Sequence, residues 1–140
     1  NIESELNKTA YTLLIFYRGH WWPYCIAELV KLEKKNDQLN LLGIRVLAIS
    51  AGEPEDSNKS KNKTGGLFTF VSDPSGDFIA DLGLLDRAGN PFNGSDAARI
   101  SKLLVDKEKN VLWYRFTENN RVRIKSSELI SELKKSIQSQ

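Results

Sequence analysis

The 140 residues suit one folding domain, because a second core of normal size would need a longer chain. Apolar residues make up 40% and charged residues 27%, which is typical of a globular protein and excludes a disordered or fibrous chain. The formal net charge is only +2, so composition gives no reason to expect a nucleic-acid partner, and no apolar run approaches the roughly 18 residues of a membrane span.

Strands and helices alternate along the first half of the chain. Apolar runs rich in β-branched and aromatic residues indicate strands, and apolar residues spaced by three or four indicate helices. Pro23 suits the first turn of a helix, where its missing N–H costs nothing. The predicted elements are a strand over Ala10–Tyr17, a helix over Pro23–Leu39, a strand over Ile44–Ser50 and a helix that starts near Glu53–Asp56 and runs to about Lys61.

The second half of the chain ends in two strands and a helix. The predicted elements are a strand over Leu67–Val71, a short helix over Asp77–Leu82, a loop over Leu84–Asp96, strands over Arg99–Asp106 and Val111–Thr117, and a helix over Glu128–Gln138 with Ser127 as its N-cap. The tight turn at Lys107–Asn110 predicts a β-hairpin. Early alternation predicts parallel strands and the hairpin adds an antiparallel pair, so we expect an α/β fold with a central mixed sheet flanked by helices.

Cys25 is the only cysteine, and it lies in the first turn of the helix predicted after the first strand. A helix N-terminus offers unpaired N–H groups and partial positive charge, which stabilise the nucleophilic thiolate. Attack on a peroxide would convert Cys25 to a sulfenic acid, and an external thiol would have to restore it. The spacing of Cys25 with Leu29 and Leu32 fits equally well a small apolar residue in a core.

A single cysteine cannot form an internal disulfide, which favours a reducing compartment and predicts a cytoplasmic location. The chain contains no methionine, so we expect that its N-terminus has been trimmed.

The stretch FYRGHWWPYCIAEL resembles the peroxiredoxin-like members of the alkyl hydroperoxide reductase/thiol-specific antioxidant family, in the thioredoxin-fold superfamily. Many members carry the pattern Phe-Tyr-Arg-Gly-x-Trp-Cys-Pro-x-Cys. Three later stretches are similar to the family's second strand, its Ser-Asp-Pro segment and its hairpin, namely VLAISAGEPED, FTFVSDPSGDFIADLGLLD and RISKLLVDKEKNVLWY. The resemblance covers about Thr12 to Tyr114 and implies a single thioredoxin-like domain over residues 1–140, without the family's N-terminal hairpin.

The resemblance also implies roles for particular side chains. It places the peroxide-attacking cysteine at Cys25, and at Arg99 the arginine that holds the thiolate from the start of the hairpin's first strand. Peroxide contacts fall on Trp22, Tyr24 and Arg18. No metal or cofactor is implied.

The sequence departs from the family's pattern at three places. Arg18 stands where the peroxidase motif of the family has a proline. Trp22 stands where the family has the threonine that orients peroxide or, in one branch, a partner cysteine. The spacing from Arg99 to the turn at Asp106 is one residue longer than in many members.

These features leave three functions open. The first is a one-cysteine thiol peroxidase that reduces hydrogen peroxide or alkyl hydroperoxides with an external thiol, such as a thioredoxin-, glutaredoxin- or glutathione-like reductant. The second is a redox-silent binding module of thioredoxin fold in which Trp22 fills the site, and the third is another single-thiol exchange activity. No nucleic-acid or membrane partner is expected, and the sequence leaves room for a homodimer.

Overall fold

The structure, a computed structural model, describes residues 2–117 and 124–139. Its strands are β1 (Tyr11–Phe16), β2 (Ile44–Ser50), β3 (Thr69–Ser72), β4 (Leu85–Asp86), β5 (Ala97–Ala98), β6 (Ser101–Asp106) and β7 (Val111–Phe116). Its helices are α1 (Ile2–Glu5), α2 (Pro23–Glu33), α3 (Asn36–Leu41), α4 (Pro54–Lys63), α5 (Asp77–Asp81) and α6 (Ser126–Gln138). Across these two ranges, none of the helices combines the length and apolar character that crossing a membrane requires.

Five of the strands form a mixed sheet in the order β3-β2-β1-β6-β7. β1 pairs in parallel with β2, and β2 pairs in parallel with β3. β6 runs antiparallel to both β1 and β7, and the Asp106 N–H donates to the Asn110 carbonyl to close the hairpin turn at 3.1 Å. The predicted α/β fold with a mixed sheet flanked by helices is confirmed, and so is the predicted hairpin.

Successive side chains of β1 point to two hydrophobic clusters, one on each side of the sheet. Leu13 and Ile15 belong to the cluster that contains Cys25 and the apolar sides of α2 and α6. We call this side of the sheet the Cys25 face. Leu14 and Phe16 belong to the cluster on the opposite face, which contains the inward side of α5. Because both faces are covered, β1 is apolar except for Thr12, and this made the strand predictable from sequence.

The first long helix is shorter than predicted. α2 ends at Glu33 rather than Leu39, and α3 follows after a turn in which Lys35 has φ −102° and ψ 10°, outside the helical region. The buried Glu33 carboxylate accepts hydrogen bonds from the backbone N–H groups of Gly65 and Leu67, both at 2.7 Å. This tertiary contact fixes the end of α2 to the loop after α4.

The predicted loop over Leu84–Asp96 contains a strand, because β4 pairs antiparallel with β5 in a small second sheet. The strand predicted to begin at Arg99 begins at Ser101. The Arg99 N–H donates to the Leu84 carbonyl at 2.6 Å, which continues the small ladder and keeps Arg99 out of the central sheet.

Two further differences from the prediction lie near the ends of the chain. α6 begins at Ser126 with Lys125 as its N-cap, so the predicted N-cap Ser127 already lies inside the helix. The Lys125 carbonyl accepts the Leu129 N–H at 2.9 Å, and no side-chain cap fixes this terminus. α1 was not predicted, because four residues are too few to show a helical period.

Candidate active site

Cys25 is the third residue of α2, directly after the loop that leaves β1. Its side chain is buried in the cluster of the Cys25 face, and the residue is only 1% exposed. Its N–H donates to the Trp22 carbonyl at 3.1 Å. The residue therefore combines the two placements that the sequence left open: it lies at the start of a helix and it lies in a core.

The start of α2 is a source of positive potential beside Cys25. Pro23 occupies the first helical position, and the N-cap residue Trp22 offers no side-chain hydrogen bond to the first turn. Partial positive charge therefore remains at this helix end, and it favours the ionised form of a nearby thiol.

Trp22 packs against the cluster that contains Cys25. Its ring centroid lies 6.2 Å from that of Trp21 and 5.5 Å from that of Tyr24, which is itself 41% exposed. The Trp22 Nε1 atom is buried and has no hydrogen-bond partner among the described residues. An unpaired buried donor costs free energy, so the indole is held here by its packing and not by a polar contact.

Arg18 fastens the loop between β1 and α2 to the segment around β4. Its Nη1 donates to Asp86 Oδ2 at 2.9 Å and its Nη2 donates to the Gly89 carbonyl. Its guanidinium carbon lies 5.7 Å from the ring centroid of Trp21. Gly19, at φ +152°, is required here, because a Cβ atom would lie 2.3 Å from the Nε1 atom of Trp21. In this structure the predicted peroxide-contacting Arg18 is engaged in a structural network.

Arg99 is turned away from the protein interior. Its side chain is 61% exposed, and its Nη2 lies 4.0 Å from Asp86 Oδ1. The next residue, Ile100, is 3% exposed and belongs to the cluster of the Cys25 face. Measured back from the turn at Asp106, Ile100 has the family's spacing and Arg99 is one residue too far. The structure therefore brings Ile100, and not the Arg99 guanidinium, into the cluster that surrounds Cys25.

Lys102 is a buried cation on the Cys25 face that the sequence analysis missed. Its Nζ donates to Glu28 Oε2 at 3.0 Å, and the two side chains are 3% and 12% exposed. Glu28 lies three residues after Cys25, so the pair is about one helical turn from the thiol. Because the opposite charges adjoin each other, the pair adds little net charge at Cys25. The sequence did contain one indication: Lys102 is two residues after Ile100, and side chains two apart in a strand point to the same face.

Residues 2–114 match the sequence profile of the AhpC/TSA family. The chain belongs to this family. No curated protein sequence matches the chain.

Solved structures share the fold of this AhpC/TSA family chain at low sequence identity. AhpC from Enterococcus faecalis has a TM-score of 0.79 and 19% identity over 95% of this chain and 77% of its own. Peroxidoxin BcpB from Mycobacterium tuberculosis has a TM-score of 0.77 and 15% identity over 97% and 83%. Bacterioferritin comigratory protein from Xanthomonas campestris has a TM-score of 0.75 and 15% identity over 94% and 82%. The thioredoxin-like fold of the family is thereby confirmed.

Access to Cys25 of this AhpC/TSA family member is closed in the described structure. Cavities of about 610, 510, 380 and 80 Å³ are formed by the described residues, and Cys25 lines none of these four. A peroxide can reach the sulfur only if some of the residues packed around Cys25 move.

His20, in the loop before α2, lies between an acid and a base. Its Nε2 is 3.4 Å from Asp56 Oδ1 and its Nδ1 is 3.2 Å from Lys63 Nζ. Burial lowers the pKa of His20 from its ordinary value of 6.5, and the Lys63 ammonium lowers it further, whereas Asp56 opposes both effects. The net shift is downward, so the imidazole is neutral at pH 7.

We predict that an NMR titration of this single histidine gives a pKa below 6.5 in the folded protein. The unfolded state then binds more protons between the two pKa values, so stability is complete above pH 6.5 and falls as the pH drops through the folded pKa. His20→Gln should remove this contribution to the loss of stability at acidic pH. Urea unfolding at a series of pH values measures it. A folded-state pKa at or above 6.5 would contradict the prediction.

Proposed function

We propose that this chain is a thiol peroxidase of the one-cysteine type, in which Cys25 reduces hydrogen peroxide or alkyl hydroperoxides. Membership of the AhpC/TSA family supports thiol peroxidase activity in general. The observation that carries the finer proposal is the position of Cys25 in the first turn of α2, where the helix start favours a thiolate. A structurally similar protein, the comigratory protein of Xanthomonas campestris, is described as having alkyl peroxide reduction activity.

The proposed reaction transfers two electrons from sulfur. The Cys25 thiolate attacks one peroxide oxygen, an S–O bond forms and the O–O bond breaks. The leaving alkoxide or hydroxide takes up a proton and departs as alcohol or water. A first external thiol displaces water from the sulfenic acid to give a mixed disulfide, and a second releases Cys25 as the thiol together with an external disulfide.

The closed environment of Cys25 implies a slow peroxidase. The sulfur becomes accessible only when residues packed around it move, and Trp22 supplies no hydroxyl to the peroxide. The predicted roles of Arg99, Tyr24 and Arg18 in the reaction stay predictions. Arg99→Gln tests one of them: an unchanged rate of sulfenic acid formation would contradict it.

A redox-silent binding module is the second candidate. It is favoured by one observation, which is that Cys25 and Ile100 share an apolar cluster while the Arg99 guanidinium lies outside it. In that case the thiol is a core residue, and the loop with Trp22 and Tyr24 is the part of the chain that meets a ligand.

Intact-mass analysis separates the two candidates. The reduced protein is treated with one equivalent of hydrogen peroxide in the presence of a reagent that traps sulfenic acids. A peroxidase gains one trap adduct, and the matched variant Cys25→Ser gains none. If the protein stays unmodified after the peroxide treatment, and consumes peroxide no faster than Cys25→Ser, the peroxidase proposal fails.

The proposal includes the partners predicted from sequence. These are a peroxide substrate, an external thiol reductant of thioredoxin, glutaredoxin or glutathione type, and a second copy of the chain in a homodimer. It also includes a cytoplasmic location and a single domain over residues 1–140. Turnover assays with each reductant supplied separately identify which of them reacts with oxidised Cys25.

A further inference from the structure

The cavity of about 610 Å³ lies between β4, the segment just before β6 and the end of β7, and Cys25 does not line it. Its volume is within the range of small-molecule sites in proteins. Its walls combine two arginines and a carboxylate with several apolar side chains. The residues used below are Arg18, Asp86, Arg99, Leu82, Leu84 and Phe116.

The polar end of the cavity carries one uncompensated positive charge. Asp86 lies between two guanidinium groups, at 2.9 Å from Arg18 Nη1 and at 4.0 Å from Arg99 Nη2. Arg18 also donates to a backbone carbonyl and its side chain is only 11% exposed, so it is engaged by Asp86 and Gly89 and is less available to a ligand than Arg99. Within residues 2–117 and 124–139, the Arg99 guanidinium makes no hydrogen bond, because its contact with Asp86 is beyond that distance. Arg99 therefore retains a planar fork of donors for an anion.

The other end of the cavity is hydrocarbon that meets solvent. Leu82 and Phe116 are 42% and 55% exposed, and Leu84 lies behind them in the core cluster of the opposite face. Large apolar side chains exposed next to one another are unfavourable in water, and covering them releases free energy. A ligand that fits both ends needs an apolar body attached to an anionic group.

We infer that this cavity binds an aliphatic carboxylate, with the carboxylate on Arg99 and the chain along Leu82 and Phe116. A monoanion matches the single net positive charge that remains after Asp86 neutralises one guanidinium. The two oxygens of a carboxylate can also accept two parallel hydrogen bonds from the planar guanidinium of Arg99. Arg18 and Arg99 also have predicted roles in the reaction at Cys25, but Cys25 itself does not line this cavity.

Calorimetric titration with decanoate, kept below its micelle concentration, tests the inference. Decanoate should bind, and decyltrimethylammonium, which has the same chain and the opposite charge, should not. Arg99→Gln should raise the Kd of decanoate at least tenfold, and Phe116→Ser should also weaken binding. Cys25→Ser should bind decanoate as the unaltered protein does, so the outcome is independent of the peroxidase proposal.

Arg87→Gln is the matched control, because Arg87 is another exposed arginine that does not line the cavity. Its side chain is 81% exposed, and its Nη1 lies 3.8 Å from Asp96 Oδ2. It should leave the Kd unchanged. Equal Kd values for Arg99→Gln and the unaltered protein, equal binding of the cationic probe, or decanoate binding weaker than about 1 mM would each overturn the inference.

Discussion

Replacing Trp22 with threonine is expected to raise the rate at which Cys25 reacts with hydrogen peroxide by about two orders of magnitude. Loss of one preorganised donor at a reacting oxygen typically costs about 10²–10³ in rate, and the threonine hydroxyl restores such a donor at the position where the family has it. The smaller side chain also removes the indole that packs against the cluster around Cys25. Stopped-flow measurement of peroxide consumption, with Cys25→Ser as the blank, gives the rate constants.

Trp21→Thr is the matched control for this experiment. Trp21 is the adjacent tryptophan, partly exposed like Trp22, but it does not stand where the family has threonine. Its replacement should leave the rate with peroxide within a few fold of the unaltered protein. If Trp22→Thr is as slow as Trp21→Thr, Trp22 does not limit the reaction, and the proposal of a peroxidase slowed by this residue fails.

Lys102→Met is expected to destabilise the fold by about 3–5 kcal/mol, because it leaves the Glu28 carboxylate buried without its ammonium partner. The methionine fills much of the lysine's volume, so the loss is one of charge pairing more than of packing. Urea unfolding monitored by tryptophan fluorescence measures the change in the free energy of unfolding.

The double variant Lys102→Met with Glu28→Gln should recover much of that loss, since neither charge then remains buried alone. Arg87→Met provides the exposed comparison, because Arg87 and Asp96 are 81% and 39% exposed, and it should cost at most about 1 kcal/mol. A double variant whose loss equals the sum of the two single losses would show that Lys102 and Glu28 are not coupled.

The strands were predictable from sequence for a physical reason. β1 and β2 are covered on both faces, so they are predominantly apolar and contrast with the polar segments around them. The α4 helix was also predictable, because Pro54 and the acidic residues near it suit a first turn, and Asp56 accepts the Glu53 N–H at 3.0 Å.

The end of α2 was not predictable, because its cause is distant in the chain. No glycine or proline marks the turn after Glu33, and the contact that fixes this point is made with the backbone of Gly65 and Leu67. The ion pair of Lys102 and Glu28 was not predicted for the same reason, since the two residues are 74 positions apart. Local patterns do not contain such contacts.

The candidate site was predicted in part. The position of Cys25 at a helix start followed from the strand, the loop and Pro23. Sequence left open whether the sulfur would be covered, because the spacing of Cys25 with Leu29 and Leu32 fitted a core position as well as a reactive one, and only the packed fold decides between them.

The placement of Arg99 and Ile100 on different sides of the chain bears on how enzymes of this kind gain or lose activity. Because neighbouring residues of an extended segment point in opposite directions, a shift of one residue in the segment before β6 would exchange the places of the Arg99 and Ile100 side chains relative to the cluster that contains Cys25. A guanidinium can therefore leave a reaction centre without any arginine being mutated.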